Sequence, residues 1–231
     1  MTTSLVLIPG LAADASTWVA QCAAFPAARV SDVHFRCDTI PAMAAALLAE
    51  HGGELVLCGA SMGGMIALEC QRQAPGRVRG LALLGSSARP DTPEIAALRA
   101  DAFAMIDAGR YDEMIEFNVP FSFHADRLAE RALTQAYVDM LLRAGAKQLV
   151  RQNIAVAARP DSRPLLRSIA CPTLVMCGDA DRVTPLEHSR EIADAVPGAE
   201  LVVVERCGHM LTMERPREVN AALARWLDRF D

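Results

Sequence analysis

The segment G-A-S-M-G at residues 59–63 limits the fold of this chain more than any other feature, because of what lies on its two sides. A continuous apolar run at residues 55–58 leads directly into it, and an apolar helical pattern at residues 65–70 follows it. Gly59 and Gly63 lack a side chain, so the backbone and the next helix can pass close to a strained turn at Ser61. The segment therefore predicts a strand, a sharp turn and a helix, with the Ser61 oxygen held where a second molecule can reach it.

Length and composition indicate a single domain with one large core. The chain has 231 residues and is 52% hydrophobic, which supports one well-buried interior and is short for two. Its 23 basic and 28 acidic residues are mixed along the sequence, which argues against a nucleic-acid surface and against a polybasic membrane surface. We expect a small partner that is uncharged or apolar, and the sequence does not indicate an oligomeric state.

The N-terminal segment and the cysteines favour a cytoplasmic protein. No basic residue precedes Arg29, so the charged start of a secretory signal is missing, and no apolar run is long enough to span a bilayer. The cysteines number seven, and most lie in or beside apolar runs, which suits reduced core thiols better than disulfides. We therefore expect no association with a membrane.

Apolar runs alternate with helical patterns along most of the chain. Five runs rich in Val, Leu and Ile, at residues 5–8, 55–58, 78–84, 173–177 and 201–204, are typical of strands buried on both faces. Helical patterns lie between and after them, at residues 42–51, 64–72, 188–196 and 216–230. This alternation predicts an open α/β sheet whose strands are mostly parallel.

One long interval departs from this alternation. Residues 90–165 contain no convincing strand and four amphipathic helical patterns, at residues 94–107, 112–117, 126–142 and 147–158. Prolines at positions 90, 93, 160 and 164 mark both ends of the interval. The sequence therefore predicts an α/β core at residues 1–88 and 166–231 and a helical insertion at residues 89–165.

A histidine and a carboxylate that could activate Ser61 follow two later strands. Asp181 lies just after the run that ends at residue 177, and His209 lies shortly after the run that ends at residue 204. The ends of parallel strands meet at one edge of a sheet, so Ser61, Asp181 and His209 are expected to lie together. A serine needs a base to become a nucleophile, and the base needs an orienting carboxylate. Asp179, in the same turn as Asp181, is the alternative carboxylate.

With these motifs the chain resembles the α/β-hydrolase superfamily over nearly its whole length. The resemblance rests on L-V-L-I-P-G-L at residues 5–11 with Trp18, the turn at Ser61, G-D-A-D at residues 178–181 with Pro185, and G-H at residues 208–209 with Glu214 and Pro216. Within the superfamily the chain is similar to compact esterases, enol-lactonases and cofactor-free perhydrolases. The resemblance implies a mostly parallel central sheet, helices on both of its faces, and a helical cap formed by the insertion.

The resemblance also implies a role for each site residue. Ser61 would be the nucleophile, His209 the general base and then acid, and Asp181 the carboxylate that orients the imidazole. The oxyanion hole would consist of the backbone N–H groups of Leu11 and Met62. No cofactor is implied.

Two departures from the family pattern concern the rim of this site. Many relatives carry a histidine where this chain has Pro9, so the oxyanion loop is expected to be braced differently. The segment between Val30 and Ile40 is also shorter than in relatives, which predicts a more open rim on that side.

The remaining histidines and the candidate metal ligands have simpler interpretations. His34, His51, His124 and His188 have no catalytic motif beside them and are expected to be solvated or packing residues. The cysteine, aspartate and histidine side chains between residues 171 and 209 lack the short spacing of a zinc knuckle, so no metal site is predicted.

Apolar side chains near the motifs predict an acyl pocket between the sheet edge and the cap. The candidates, of which those next to Ser61 and His209 are the safest, are Trp18, Met62, Met105, Phe121, Phe123 and Met210. The motifs have no cationic cluster beside them, which favours neutral esters or lactones over substrates with a carboxylate. Arg89, Arg143 and Arg151, in or near the cap, would reverse this preference if they faced the site.

The sequence therefore predicts a serine hydrolase that cleaves a small carboxylic ester or lactone through an acyl-enzyme intermediate. The same triad could instead serve acyl transfer, cofactor-free perhydrolysis or carbon–carbon bond hydrolysis. A ligand-binding protein that has kept the hydrolase frame is the alternative from another class.

Overall fold

The fold is a single parallel sheet of six strands, seen in a computed structural model that describes residues 4–230. The order across the sheet is β2-β1-β3-β4-β5-β6, and every neighbouring pair is parallel. The strands are β1 (Ser4–Ile8), β2 (Arg29–Val30), β3 (Leu55–Ala60), β4 (Val78–Leu84), β5 (Thr173–Gly178) and β6 (Glu200–Val204). The four central strands are almost wholly buried, which explains their continuous apolar sequences.

Eleven helices accompany the sheet within residues 4–230. They are α1 (Val19–Ala24), α2 (Ile40–Glu50), α3 (Met62–Gln73), α4 (Pro93–Asp107), α5 (Tyr111–Ser122), α6 (Arg131–Ala144), α7 (Ala146–Ala157), α8 (Arg163–Leu166), α9 (Leu186–Ala195), α10 (Leu211–Glu214) and α11 (Pro216–Leu227). Helices α2 and α4 each begin with a threonine cap followed by a proline in the first turn, as Thr39 and Thr92 accept a backbone N–H. None of these helices is long and apolar enough to cross a membrane.

Helices cover both faces of the sheet. Alternate residues of a strand point to opposite faces, and both faces of this sheet carry apolar side chains that the helices bury. Val6 and Ile8 of β1 share a core with residues of α2, α3 and α9. Leu7, between them, belongs to the opposite core, which includes residues of α11. The prediction of an α/β-hydrolase fold with helices on both faces is confirmed.

Helices α4 to α7 lie between β4 and β5 and form the cap. Their apolar side chains build a third cluster, with Ile115, Phe123 and Met140 near its centre, over Ala12 and Ala13 of the loop after β1. The cap thus rests on the C-terminal edge of the sheet. The exact division at residues 89 and 165 stays a prediction.

Some elements differ from the sequence patterns. The helix predicted at residues 126–142 begins only at Arg131, because a 3-10 turn at Ala125–Arg127 precedes it and the His124 side chain caps that turn. The patterns did not predict β2, α1, α8 or α10, which have between two and six residues each. Elements this short contain too few residues for a periodic pattern.

Candidate active site

Ser61 lies in a strained turn between β3 and α3. Its backbone has φ 53° and ψ −117°, a conformation that residues other than glycine rarely adopt. A methyl group on Gly59 would lie 2.2 Å from the Gly63 carbonyl oxygen, and one on Gly63 would lie 2.0 Å from the Ile8 carbonyl oxygen. The turn can therefore close only with glycine at both positions, as the sequence predicts.

The ends of neighbouring strands bring three segments together beside Ser61. The Ser61 N–H donates to the Leu84 carbonyl at 2.8 Å, which ties the turn to the end of β4. The next residue, Gly85, is so close to the other two predicted site residues that a methyl group on it would lie 3.1 Å from Asp181 Oδ2 and 3.3 Å from His209 Nδ1. The three residues predicted as a triad therefore share one edge of the sheet.

Asp181 and His209 are joined by a direct hydrogen bond. His209 Nδ1 lies 2.8 Å from Asp181 Oδ2, and an ionised carboxylate only accepts, so Nδ1 carries the proton. Thr184 holds the same carboxylate through its backbone N–H at 2.9 Å and its hydroxyl at 3.0 Å. The Val183 N–H donates to it as well, at 2.9 Å. This arrangement fixes the tautomer of the imidazole and leaves Nε2 able to accept a proton.

The two groups shift each other's pKa in opposite directions. Burial alone would raise the pKa of Asp181, but the charge and hydrogen bond of His209 and the bonds from Thr184 outweigh it and lower this pKa. Burial alone would lower the pKa of His209, but the charge and hydrogen bond of Asp181 outweigh it and raise this pKa. Asp181 is thus kept ionised, and His209 is a stronger base than an isolated histidine.

Within residues 4–230, Asp179 forms no hydrogen bond or ion pair with His209. Its carboxylate accepts the Cys207 N–H at 3.1 Å, which connects the end of β5 to the loop after β6. Of the two aspartates that the sequence left open, Asp181 has the geometry of the orienting carboxylate. Ser61 Oγ forms no hydrogen bond to His209 within the part of the chain that the structure describes, and such bonds are often long before a substrate binds.

The loop after β1 passes directly beside Ser61. A methyl group on Gly10 would lie 3.3 Å from Ser61 Cβ and 4.0 Å from Ser61 Oγ. The backbone N–H groups of Leu11 and Met62 flank this point, and within residues 4–230 neither donates a hydrogen bond to another protein group. Both are therefore free to donate to an oxygen that develops negative charge.

Glu214 joins the His209 loop to the cap. Its carboxylate is 2% exposed and accepts the Gly208 N–H at 2.9 Å and the His124 N–H at 2.8 Å. Burial raises the pKa of Glu214 more than these two hydrogen bonds lower it. The Ser122 carbonyl, at the end of α5, accepts the His209 N–H at 2.9 Å. The His209 backbone is thus positioned by the cap as well as by the sheet.

The predicted pocket residues fall into two groups. Met105, Phe121 and Met210 are partly exposed; Met105 and Met210 pack against the third cluster, and Met213 joins them there although the sequence did not suggest it. Met62 and Phe123 are almost completely buried. Trp18 differs from the prediction: it is 0% exposed and packs in the core on the α11 side of the sheet, where no pocket surface is available to a substrate.

The arginines that could have faced the site have other partners. Arg89 pairs with Glu191 at 2.8 Å, Arg143 with Asp14 at 2.9 Å, and Arg151 with Asp38 at 3.1 Å. Arg182, next to Asp181, stacks its guanidinium group over the Phe121 ring at 4.3 Å from the ring centre. Residues 4–230 contain no group of three His, Cys, Asp or Glu side chains that could hold a metal ion.

Sequence reasoning missed Thr184, the carboxylate contacts of Glu214, and a buried pair, His34 and Gln152, beside the loop after β1. Thr184 could have been noticed, because it follows Asp181 by three residues, a spacing at which backbone and hydroxyl can bond a carboxylate. The Gln152 contact joins residues 140 positions apart and has no local sequence signal.

This fold and this site are typical of one class of protein, the α/β hydrolases. Residues 5–222 match the model of the alpha/beta hydrolase family, and the chain belongs to that family. The pimeloyl-(acyl-carrier protein) methyl ester esterase of Neisseria meningitidis serogroup B is 30% identical over 181 residues, which cover 74% of this chain and 67% of that protein.

Two solved structures extend the comparison. A thermophilic esterase from Thermogutta terrifontis superposes with a TM-score of 0.88 and 28% identity, covering 99% of this chain and 90% of its own. The enol-lactonase from Burkholderia xenovorans has a TM-score of 0.85 and 23% identity, covering 99% of this chain and 92% of its own. At that identity the enol-lactonase supports the fold alone.

Proposed function

We propose that the protein is a serine hydrolase that cleaves a small, neutral carboxylic ester or lactone through an acyl-enzyme intermediate. The observation that carries this proposal is the hydrogen bond between His209 and Asp181 at the sheet edge that also presents Ser61 in a strained turn. A charged, buried and fully bonded aspartate behind a histidine suits general-base catalysis. The esterases among the similar proteins support an ester substrate.

The proposed reaction has two halves. His209 Nε2 takes the Ser61 hydroxyl proton while Oγ attacks the carbonyl carbon, and the N–H groups of Leu11 and Met62 stabilise the oxyanion that forms. His209 then gives the proton to the leaving alcohol, and the acyl group remains on Ser61. His209 then takes a proton from a water molecule, which attacks the acyl carbon. The bond to Ser61 Oγ breaks, Oγ receives the proton from His209, and the carboxylic acid is released. Each oxyanion donor contributes about 3 kcal/mol to lowering the barrier.

The charge distribution around the site supports a neutral substrate. Arg89, Arg143 and Arg151 are each paired with a carboxylate, so their charges are already compensated, and the guanidinium group of Arg182 stacks on the Phe121 ring. The flexible side chains of Met105, Met210 and Met213 are partly exposed and pack against the third cluster, and Met210 directly follows His209 in the chain. Methionine adapts to ligands of different shape, which suits a small apolar acyl group.

The proposed cytoplasmic location has separate support. All seven cysteines are free thiols, and Cys58, Cys70, Cys177 and Cys207 are buried. This supports the proposal that the enzyme works in the cytoplasm, where thiols stay reduced.

The decisive experiment is labelling with a fluorophosphonate, detected by intact mass, on the wild-type protein and on Ser61→Ala. We expect one label per wild-type chain and none on the variant, because only an activated serine attacks the phosphorus. A panel of p-nitrophenyl esters of increasing acyl length would then measure the size of the pocket. An undiminished ester hydrolysis rate in folded Ser61→Ala would contradict the mechanism.

Other outcomes of this experiment lead to the alternative functions. Absence of labelling in a folded wild-type protein would favour a binding protein on a hydrolase frame. Products formed with added alcohol, thiol or peroxide in place of the free acid would indicate acyl transfer or perhydrolysis. Selective turnover of substrates that carry a carboxylate would contradict the neutral-substrate proposal and favour carbon–carbon bond hydrolysis.

A further inference from the structure

The loop that carries the Leu11 N–H is held by two buried side chains outside the loop. Ala12, the next residue, has φ 55°, a conformation that L-residues rarely adopt, so it needs external support. Its N–H donates to Gln152 Oε1 at 2.5 Å. Ala13 is held through its carbonyl, which lies 2.7 Å from His34 Nε2. The Leu11–Ala12 and Ala13–Asp14 peptide groups are therefore fixed from outside the loop.

Gln152 and His34 are also fixed to each other. Gln152 Nε2 donates to the His34 carbonyl at 2.9 Å, and both residues are 0% exposed. The Ala13 carbonyl can only accept, so His34 Nε2 carries the proton and the ring is in one defined tautomer. Its pKa is lowered, chiefly by burial, so the ring stays neutral. Each hydrogen bond of the network therefore has one defined donor. His34 Nε2 donates to the Ala13 carbonyl, the Ala12 N–H donates to Gln152 Oε1, and Gln152 Nε2 donates to the His34 carbonyl.

Gln152 belongs to the cap, whereas His34 belongs to the core. Gln152 lies on α7, and His34 lies in a 3-10 turn, Val33–Phe35, between β2 and α2. A second cap residue, Gln148, donates to the same His34 carbonyl at 2.9 Å, but within residues 4–230 its side chain makes no hydrogen bond to the loop after β1. Gln148 and Gln152 thus share one contact, the His34 carbonyl. Of these two residues, Gln152 also accepts a hydrogen bond from the loop after β1.

We propose that Gln152 and His34 are positioning residues for the oxyanion hole, and that they hold the Leu11 N–H in its catalytic orientation in place of a side chain at position 9. This inference rests on the proposed function, because the oxyanion hole is part of the proposed mechanism. Pro9 cannot donate a side-chain hydrogen bond, so the support for the loop must come from elsewhere. With Gln152 on α7, the geometry of the oxyanion hole depends on how the cap is seated.

The mechanism predicts a selective effect on the transition state. Oxyanion donors act on the charge that develops during attack and much less on the bound ester, so a displaced Leu11 N–H lowers kcat with little change in KM. Complete loss of one donor lowers kcat by about 10²- to 10³-fold. A donor that is misplaced but still present should cost less, and we expect a reduction of about 10- to 100-fold.

The first test compares Gln152→Leu with Gln148→Leu on a p-nitrophenyl ester. Both variants remove a hydrogen bond to the His34 carbonyl from the same helix, but only Gln152→Leu releases Ala12. We expect kcat to fall about 10- to 100-fold in Gln152→Leu and less than about 3-fold in Gln148→Leu, with similar KM values. The affinity for a trifluoromethyl ketone, which forms a tetrahedral oxyanion on Ser61, should fall in parallel with kcat.

The second test does not depend on Gln152→Leu being folded. The amide nitrogen of His34→Gln can reach the place of His34 Nε2 and donate to the Ala13 carbonyl, whereas His34→Leu cannot. We expect His34→Gln to retain most of the kcat that His34→Leu loses. Unfolding temperatures of all variants, measured alongside, separate a general loss of stability from a loss of positioning.

The outcomes distinguish this inference from the proposed function. Equal kcat values in the two glutamine variants, or kcat in His34→Gln as low as in His34→Leu, would overturn the positioning role. A fall in kcat without any fall in trifluoromethyl ketone affinity would overturn it as well. A wild-type protein that does not react with fluorophosphonate contradicts the proposed function before any variant is compared.

Discussion

At Asp181, four hydrogen bonds hold a carboxylate whose side chain has no exposed surface. Three come from Val183 and Thr184, which follow it in the chain, and the fourth comes from His209. The bonds from Val183 and Thr184 stabilise the negative charge and fix the plane of the carboxylate independently of His209. His209 can therefore use the full negative charge of a group that has no freedom to turn away.

This geometry predicts different effects for two neighbouring aspartates. Asp181→Asn should lower kcat about 10⁴-fold, because an amide no longer favours the imidazole tautomer with the proton on Nδ1. Asp179→Asn is the matched control, since Asp179 faces the Cys207 N–H and an amide oxygen can still accept that bond. Steady-state kinetics on one activated ester would measure both. The reverse ranking would assign the catalytic carboxylate to Asp179.

The raised pKa of His209 predicts the acid side of the pH profile. Protonated His209 cannot accept the Ser61 proton, so kcat/KM falls as the pH drops through the His209 pKa. We expect the midpoint above 6.5, the ordinary value for histidine, because Asp181 stabilises the imidazolium more than burial destabilises it. In Asp181→Asn this midpoint should move down. A wild-type midpoint below 6.5 would show that burial dominates.

At the scale of elements, the turn between β3 and α3 depends on how closely α3 approaches β1. Gly63 lies in the first turn of α3, and the position of its missing side chain is 2.0 Å from the Ile8 carbonyl of β1. The strained Ser61 backbone is thus maintained by the packing of the elements on either side of it. The conformation of Ser61, which is partly exposed, depends on this close contact.

Gly63→Ala should therefore destabilise the whole fold. Alanine usually favours a helix over glycine by about 1 kcal/mol, but here its methyl group has to displace backbone, at a cost of about 3 kcal/mol or more. Gly76→Ala is the control, since a methyl group there meets nothing within 4 Å. Thermal unfolding should show a clear loss for Gly63→Ala alone. An unchanged unfolding temperature would mean that α3 can move away from β1 freely.

The elements most completely predicted from the sequence are the apolar strands and the longer helices, although β6 lies at the edge of the sheet and only Val204 in it is buried, so it is not covered on both faces as its sequence predicts. Continuous apolar runs form most of β1, β3, β4, β5 and β6. Such a run can be recognised as a strand without knowing which strand it pairs with. β2 has two residues, and its pairing with Val6 and Leu7 depends on where the chain returns after α1. β2 is therefore defined by its pairing with β1 in the assembled sheet, and its own sequence does not predict it.

At the scale of the whole molecule, the site was predictable where strands carry it and not where the cap supports it. Ser61, Asp181 and His209 each follow a strand of the parallel sheet, so the rule for parallel sheets brings them together. Gln152 and Glu214 act across the join between cap and core, where Gln152 contacts a residue 140 positions away. Contacts of this kind depend on how the cap docks, and side-chain patterns do not specify that.

The strand order also has a consequence for the growing chain on the ribosome. β1, β3 and β4 can assemble with α3 as soon as residue 84 has emerged, so the Ser61 turn can form early. β5 pairs with β4 only after the whole cap has been synthesised, and His209 emerges later still. A nascent or prematurely terminated chain therefore carries Ser61 without His209. Under the proposed mechanism, such a chain cannot hydrolyse an ester until translation is nearly finished.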